Sequence, residues 1–245
     1  MKEKKTRAKN KLSNEKNLWD HYGTLQKDRP FSFGPHYSYQ FRNSRRHIIF
    51  SLSRYKFAMK MAGPGKKILE LGCSEGLGIW YMAEFAKLAH GVDFDGNAID
   101  WAKKNLPREK LTFTCDDFIG KKYGEFDAVV SFDVMEHIYK KNEKPYFKTI
   151  SRNLKTTGVC IVGTPNIEAA RFSRPEVNGA HVNMYSAQRL ISVLECYFHN
   201  VFLFCQNDEI IHTGFTPMAN YLICLCCYPK QKGGDLTNGS LKRAK

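Results

Sequence analysis

The sequence predicts an α/β chain built on a doubly wound parallel sheet with helices on both faces. Three observations carry this. Ile68 to Leu71 is a short apolar run that reads as a buried parallel strand. It leads straight into a glycine-rich turn, Gly72-Cys73-Ser74-Glu75-Gly76-Leu77-Gly78, behind which apolar residues recur at helical spacing from Leu77 to Leu88. Short apolar runs and helical stretches then alternate as far as Tyr228.

In chain order, residues 1–17 are lysine-rich and aperiodic and read as a disordered basic tail, as do residues 230–245. Residues 18–64 begin with many aromatics (Trp19, Tyr22, Phe31, Phe33, Tyr37, Tyr39), suggesting an ordered cap beside a ligand site. Arg45 to Ala62 reads as a helix that Gly63-Pro64-Gly65 ends. Residues 65–229 form the main domain. Its second strand is Ala89 to Asp93, followed by a helix from Gly96 to Asn105, a strand from Leu111 to Cys115 and a strand from Phe126 to Phe132. A helix over Tyr146 to Leu154 precedes the fifth strand, Gly158 to Gly163. Residues 164–185, rich in Pro, Asn, Gly and His, show no period and are expected to shape an acceptor site. Ser186 caps a helix to about Tyr197, and Val201 to Cys205 and Tyr221 to Tyr228 close the sheet.

A chain of 245 residues with 42% hydrophobic content can bury one sizeable core. No apolar run reaches the length of a membrane span and no signal peptide is visible, so a cytoplasmic protein is the default. Of the formal charge of +14, the two tails hold +5 and +4, which argues against a nucleic-acid partner for the domain itself. Most of the eight cysteines lie in or beside apolar runs, and Cys224-x-Cys226-Cys227 is no zinc spacing. They read as structural thiols.

Glycines at a strand-to-helix turn let the backbone pass close under a ligand. Asp93 stands twenty-three positions after Glu70 at the end of the second strand, where an acid accepts hydrogen bonds from ribose hydroxyls. The turn lacks the lysine of a triphosphate loop, and Glu70 and Glu75 would repel a pyrophosphate, which points to another nucleoside cofactor. The pattern Glu70-x-Gly72-x-Ser74-x-Gly76 resembles the first motif of class I S-adenosylmethionine (SAM) methyltransferases, with Ser74 where that family usually has a glycine. Phe126 to Ile138 resembles the strand-four signature of the ubiquinone-type small-molecule methyltransferases. The resemblance covers residues 65–228 and implies a Rossmann-like seven-stranded sheet with an antiparallel last strand, and SAM as cofactor. It implies that Glu70, Gly72, Ser74 and Gly76 surround the methionine part of SAM and that Asp93 binds the ribose, with Phe94 beside the adenine. Asp116, or Asp117 one position on, would receive the adenine amino group, and Ser131 would line the same site.

The sulfonium of SAM is already an activated methyl donor, so such a protein chiefly aligns an acceptor. A hydroxyl acceptor must also lose its proton, which a histidine near neutral pKa can take. His137, after strand four, and His181, in the irregular segment, are the candidate bases, with His212 a third. No Asp/Glu/His set in the sequence demands a metal, although Asp133, Glu136 and His137 superficially look like one. The stretches Gly163 to Asn166, His181 to Ser186 and Tyr197 to Phe204 look like bacterial methyltransferases associated with surface-polysaccharide and nucleotide-sugar pathways. That resemblance implies O-methylation of a sugar or similar small polar acceptor, with Tyr22, Phe33, His36, Tyr37, Asn166, Asn183 and Tyr185 able to line the pocket. An RNA methyltransferase that uses the basic tails, and a SAM-binding protein without turnover, remain the alternatives.

Overall fold

A computed structural model describes residues 15–25, 31–172 and 180–230. Most of both basic tails, and residues 173–179 of the irregular segment, therefore lie outside the described residues. Helix α1, Glu15–Leu25, forms a unit by itself and takes in Glu15, Lys16 and Asn17, which the sequence alone assigns to a tail. The second unit begins at Phe33 and carries every other described element.

Five strands of that unit are parallel: β1 (Lys67–Leu71), β2 (Leu88–Asp93), β3 (Leu111–Cys115), β4 (Phe126–Phe132) and β5 (Leu154–Pro165). Strands β6 (Phe198–Asn207), β7 (Ile210–His212) and β8 (Tyr221–Pro229) complete the sheet by antiparallel pairing, in the order β3-β2-β1-β4-β5-β8-β6-β7. The sheet has eight strands rather than the expected seven. The extra one is a three-residue hairpin arm on the open edge, too short to show a period of its own. His212 sits on it, with Nε2 on Asn207 Oδ1 and Nδ1 accepting the Gly214 N–H.

Alternation along the strands divides the core between the two faces. Leu69, Leu71 and Val129 pack with Tyr146, Phe147 and Ile150 of α6 (Lys140–Arg152) and Leu190 and Leu194 of α7 (Ala187–Leu194). Ile68, Ala128 and Val130 pack on the other face with α3 (Arg45–Ala62), α4 (Leu77–Ala83) and α5 (Gly96–Asn105). Helix α3 buries Ser51, Arg54, Tyr55, Ala58, Met59 and Ala62, the i, i+3/i+4 stripe of a helix with one inward face. Asp95 and Ser186 cap α5 and α7 through their side chains.

Three boundaries differ from the sequence reading. Helix α4 stops at Ala83, because Gly65 N–H bonds to Phe85 O and Lys87 N–H to Lys66 O, drawing the chain toward β2. Helix α6 starts at Lys140 and carries Pro145 inside it, where periodicity alone starts the helix after the proline. Strand β5 runs back to Leu154 across a register shift against β4, a bulge that hides its first residues from an alternation count. Among the described residues, no helix is long and apolar enough to cross a membrane.

Gly78, in the first turn of α4, is where α3 docks: a Cβ there would lie 2.0 Å from the Tyr55 ring, which is buried. Gly78→Ala should therefore destabilise the protein by about 1–3 kcal/mol through overpacking, despite alanine's better helix propensity. Urea unfolding checks this. A midpoint at or above that of the wild type would show that α3 does not lock against the turn.

Candidate functional site

In the sheet the strand order reverses between β1 and β4, and ligands of doubly wound folds bind beyond the carboxyl ends of such a pair. The chain leaves β1 through residues held in the left-handed region: Gly72 at φ +78°, Ser74 at +48° and Gly76 at +81°. Gly72 has a second constraint, since a Cβ would stand 2.2 Å from Val134 Cγ2. Ser74 occupies a conformation that glycine adopts without strain and other residues adopt at a cost of roughly 1–2 kcal/mol. It is held there by its N–H, which donates to Asp93 Oδ2 at 2.7 Å, while the Asp95 N–H donates to Oδ1 at 2.9 Å. Asp93, nearly buried at the end of β2, thus braces the turn. Phe94 beside it is largely exposed.

Glu70, the last-but-one residue of β1, is fully buried, and neither carboxylate oxygen has a hydrogen-bond partner. Burial pushes its carboxyl up to about 8; the Tyr55 hydroxyl and the Ile79 N–H face it and pull the other way without closing a full hydrogen bond. The next acid, Glu75, is buried too, but its carboxylate receives the His36 N–H at 2.9 Å and the Tyr37 N–H at 2.8 Å. Those two N–H groups open helix α2 (Pro35–Asn43), so Glu75 caps that helix from the turn. Of the aromatics before β1, Tyr37 and Tyr55 reach the space near Glu70. Tyr22 belongs to the separate α1 unit.

After β3, Asp116 accepts hydrogen bonds from the Tyr123 hydroxyl at 2.9 Å and from the Lys121 ammonium, which together hold its carboxyl below the usual range. Asp117 closes a local turn through the Ile119 N–H. Ser131 is fully buried, donating to Leu71 O and accepting from the Tyr146 hydroxyl, both at 2.8 Å. Its hydroxyl ties β4 to the end of β1 and lines no open space.

Beyond β4 lies the other half of the edge. Asp133, at φ +55°, pairs with the buried Arg54, whose guanidinium also bonds Gln206 Oε1 and covers the Tyr221 ring. Glu136 is buried, accepts the Thr164 hydroxyl at 3.0 Å, and is pushed up to about 8 by burial with Asp133 adding to it. His137 Nδ1 lies 2.9 Å from Ala180 O, and since a carbonyl only accepts, Nδ1–H donates there, which in the neutral ring leaves the lone pair on Nε2. The His181 ring meets it edge-on, with centroids 5.1 Å apart. Burial lowers the His181 pKa, the facing His137 lowers it further, and Asp133 opposes them. The two histidines are therefore brought together, with Glu136 beside both. Arg54 carries no signal in the sequence, and Glu136 shows there only within the run of Asp133, Glu136 and His137, of which Asp133 serves Arg54.

Asn166, Asn183 and Tyr185, read as sugar-binding groups, are buried and used within the fold. Asn166 Nδ2 donates to Thr216 O and Ala219 O. Asn183 Nδ2, the Tyr185 hydroxyl and the Arg189 guanidinium all converge on Glu143 Oε2. Glu143 is the anchor of the segment that carries His181.

A left-handed turn over an unpaired buried carboxylate, with a second acid at the neighbouring strand end, fits a cationic amino-acid group joined to a nucleoside. Fold and turn are similar to those of class I SAM-dependent methyltransferase domains, whose cofactor is S-adenosylmethionine. Residues 69–162 match the family described as Methyltransferase domain. The chain is 26% identical over 159 residues to a Mycolicibacterium smegmatis protein named "Probable S-adenosylmethionine-dependent methyltransferase", covering 64% of this chain and 58% of that one. It thus spans less than two thirds of that relative's length. It is 26% identical to the ubiquinone biosynthesis O-methyltransferase of Coxiella burnetii, covering 62% of this chain and 86% of the relative. The solved N-methyltransferase NodS of Bradyrhizobium japonicum WM9, in complex with S-adenosyl-L-homocysteine, shares the fold at a TM-score of 0.55 and 15% identity, covering 86% and 98% of the two chains.

The Glu143 anchor has a pH signature. Burial raises its carboxyl, but the hydrogen bonds of Tyr185 and Asn183 and the charge of Arg189 outweigh that and leave it below the ordinary range. The anchor is complete above the usual glutamate pKa and is lost as pH falls through the depressed folded value. Hydrogen bonds to a charged group contribute about 1.5–3 kcal/mol, so Glu143→Gln should speed amide exchange across residues 181–186 at least tenfold near neutral pH. Unchanged protection in the variant would overturn the anchoring role.

Proposed function

We propose that this chain methylates a hydroxyl of a small polar acceptor, a sugar-containing one in our reading, with SAM as donor. The observation that carries the proposal is the pair His137 and His181 at the carboxyl edge of β4, across the strand reversal from the glycine-rich turn. Glu70 would meet the amino group of the methionine moiety, Asp93 the ribose and Phe94 the adenine, with Asp116 receiving the adenine amino group once it shares its contacts with Lys121 and Tyr123. SAM supplies the methyl group: its S–CH3 bond breaks with the electron pair left on sulfur as the acceptor oxygen takes the carbon. The protein aligns the acceptor and activates its hydroxyl. His137 offers its Nε2 lone pair, and His181, held neutral by burial, offers a second. They act either as proton acceptor or as ligands of a cation. The name of the Coxiella relative, an O-methyltransferase, supports an oxygen acceptor. The polysaccharide resemblance of residues 163–204 supports a sugar.

Two tests follow the two halves of the site. Glu70 is protonated below about pH 8 without ligand, and a neighbouring cation favours its charged form. Binding of SAM near pH 7 should therefore release up to one proton, read from the dependence of calorimetric enthalpy on buffer ionisation enthalpy. Glu70→Gln should bind without release, and a wild type that releases none would remove Glu70 from the cofactor site.

For the acceptor, methyl transfer from labelled SAM should appear with a pool of nucleotide sugars and not with tRNA or rRNA. His181→Ala should lower kcat by about 10²–10⁴ with SAM affinity unchanged. Transfer to RNA alone, or to a phenolic quinone precursor in preference to sugars, would overturn the acceptor class.

A further inference from the structure

We infer that Glu136, His137 and His181 form a binding site for a single divalent first-row cation at the acceptor edge of the sheet. One ligand atom from each residue lies within 4.8 Å of the other two. Two imidazoles and one carboxylate are the donor set of catalytic sites that keep positions open for water or substrate. A bound cation would bring these atoms to roughly 3.3 Å from one another, given metal–ligand distances of about 2.0–2.2 Å. About an ångström of side-chain movement closes the set.

The groups behind these three residues are arranged as they are around ligands. The Ala180 carbonyl accepts from His137 Nδ1, which fixes the tautomer and turns the Nε2 lone pair outward. The Thr164 hydroxyl donates to Glu136 Oε2 at 3.0 Å and orients the carboxylate. The Asn183 N–H donates to the Glu136 carbonyl at 3.0 Å, joining the segment that carries His181 to the turn that carries the other two. Asp133, the nearby acid that a sequence pattern would add, is occupied by Arg54 and is left out of the set. Glu136 is buried, His181 half-buried and His137 exposed, so the open positions face the mouth of the site.

The consequence for chemistry rests on the proposed methyl transfer to a hydroxyl. An acceptor hydroxyl that coordinates the cation loses its proton to solvent water at a lower pH than it would free. The imidazoles then serve as ligands and do not take the proton. Adjacent hydroxyls, as in a vicinal diol, could fill two open positions and set which oxygen faces the methyl group.

Mn2+ is the suitable probe, because the chain has eight free cysteines that softer cations would also bind. Titration of the full chain with Mn2+ alone, followed by electron paramagnetic resonance, should show one tight ion per chain. His181→Ala and Glu136→Gln should each weaken it at least tenfold, while S-adenosyl-L-homocysteine binding by calorimetry stays intact and reports a folded protein. If the buried Glu136 variant does not fold, the half-buried His181 variant decides. Absence of stoichiometric Mn2+ binding, or equal binding in wild type and His181→Ala, overturns the site. Methyl transfer that persists in chelator-treated protein without bound Mn2+ also overturns it, and leaves the methyltransferase reading standing. Stoichiometric Mn2+ lost in His181→Ala, without transfer to any hydroxyl acceptor, supports the site and removes that reading instead.

Discussion

The pairing of β1 with β4 is the contact on which the rest of the molecule depends. Its register, Ile68 with Ala128, Leu69 with Val129 and Glu70 with Val130, joins two strands whose sequence separation is large and whose neighbours lead away in opposite directions. Gly72, two residues past Glu70, and Val134, four past Val130, meet as the two walls of one crevice. Ser131 ties the walls together from below through Leu71 O and the Tyr146 hydroxyl.

Two of the described non-glycine residues with a left-handed backbone lie at this edge. Ser74 and Asp133 both hold a left-handed backbone without being glycine, and each is over-determined by surrounding bonds. For Ser74 the bond runs from its N–H to Asp93; for Asp133 an N–H to the Tyr221 hydroxyl and a side-chain pair with Arg54 do the same work. Asp93 therefore has two jobs, bracing the turn and standing at the strand end, so replacing it loosens the turn along with any ligand. Glu70 and Glu75 divide the labour differently. One is left unpaired beneath the turn; the other binds the cap helix α2 to it.

On the acceptor side, polar residues are sorted by burial. Asn183, Tyr185 and Arg189 surround Glu143 and keep the segment after residue 180 in place. Glu136, His137 and His181 each bring one donor atom within 4.8 Å of the other two. The same segment thus combines an anchor, held by the charge of Glu143, with the His181 ring that meets His137.

The sequence by itself determined the parallel body, because apolar runs and helical stripes repeat at backbone periods of two and 3.6 residues, whatever the chain does elsewhere. Strands β3 and β4 and helices α3 and α5 have the ends that periodicity assigns them. The position of Asp93 at a strand end, and of the glycine-rich turn after β1, is equally local. Only the tertiary structure decided that His181 returns to His137, that Arg54 reaches Asp133 across seventy-nine residues, and that Asn166, Asn183 and Tyr185 are bonded within the fold. It also decided the eighth strand, which exists because β6 offers an edge to pair with. The physical reason is that a polar side chain carries no periodic mark of its partner. Whether it binds the fold or a ligand depends on which buried donor or acceptor the returning chain places within 3 Å of it.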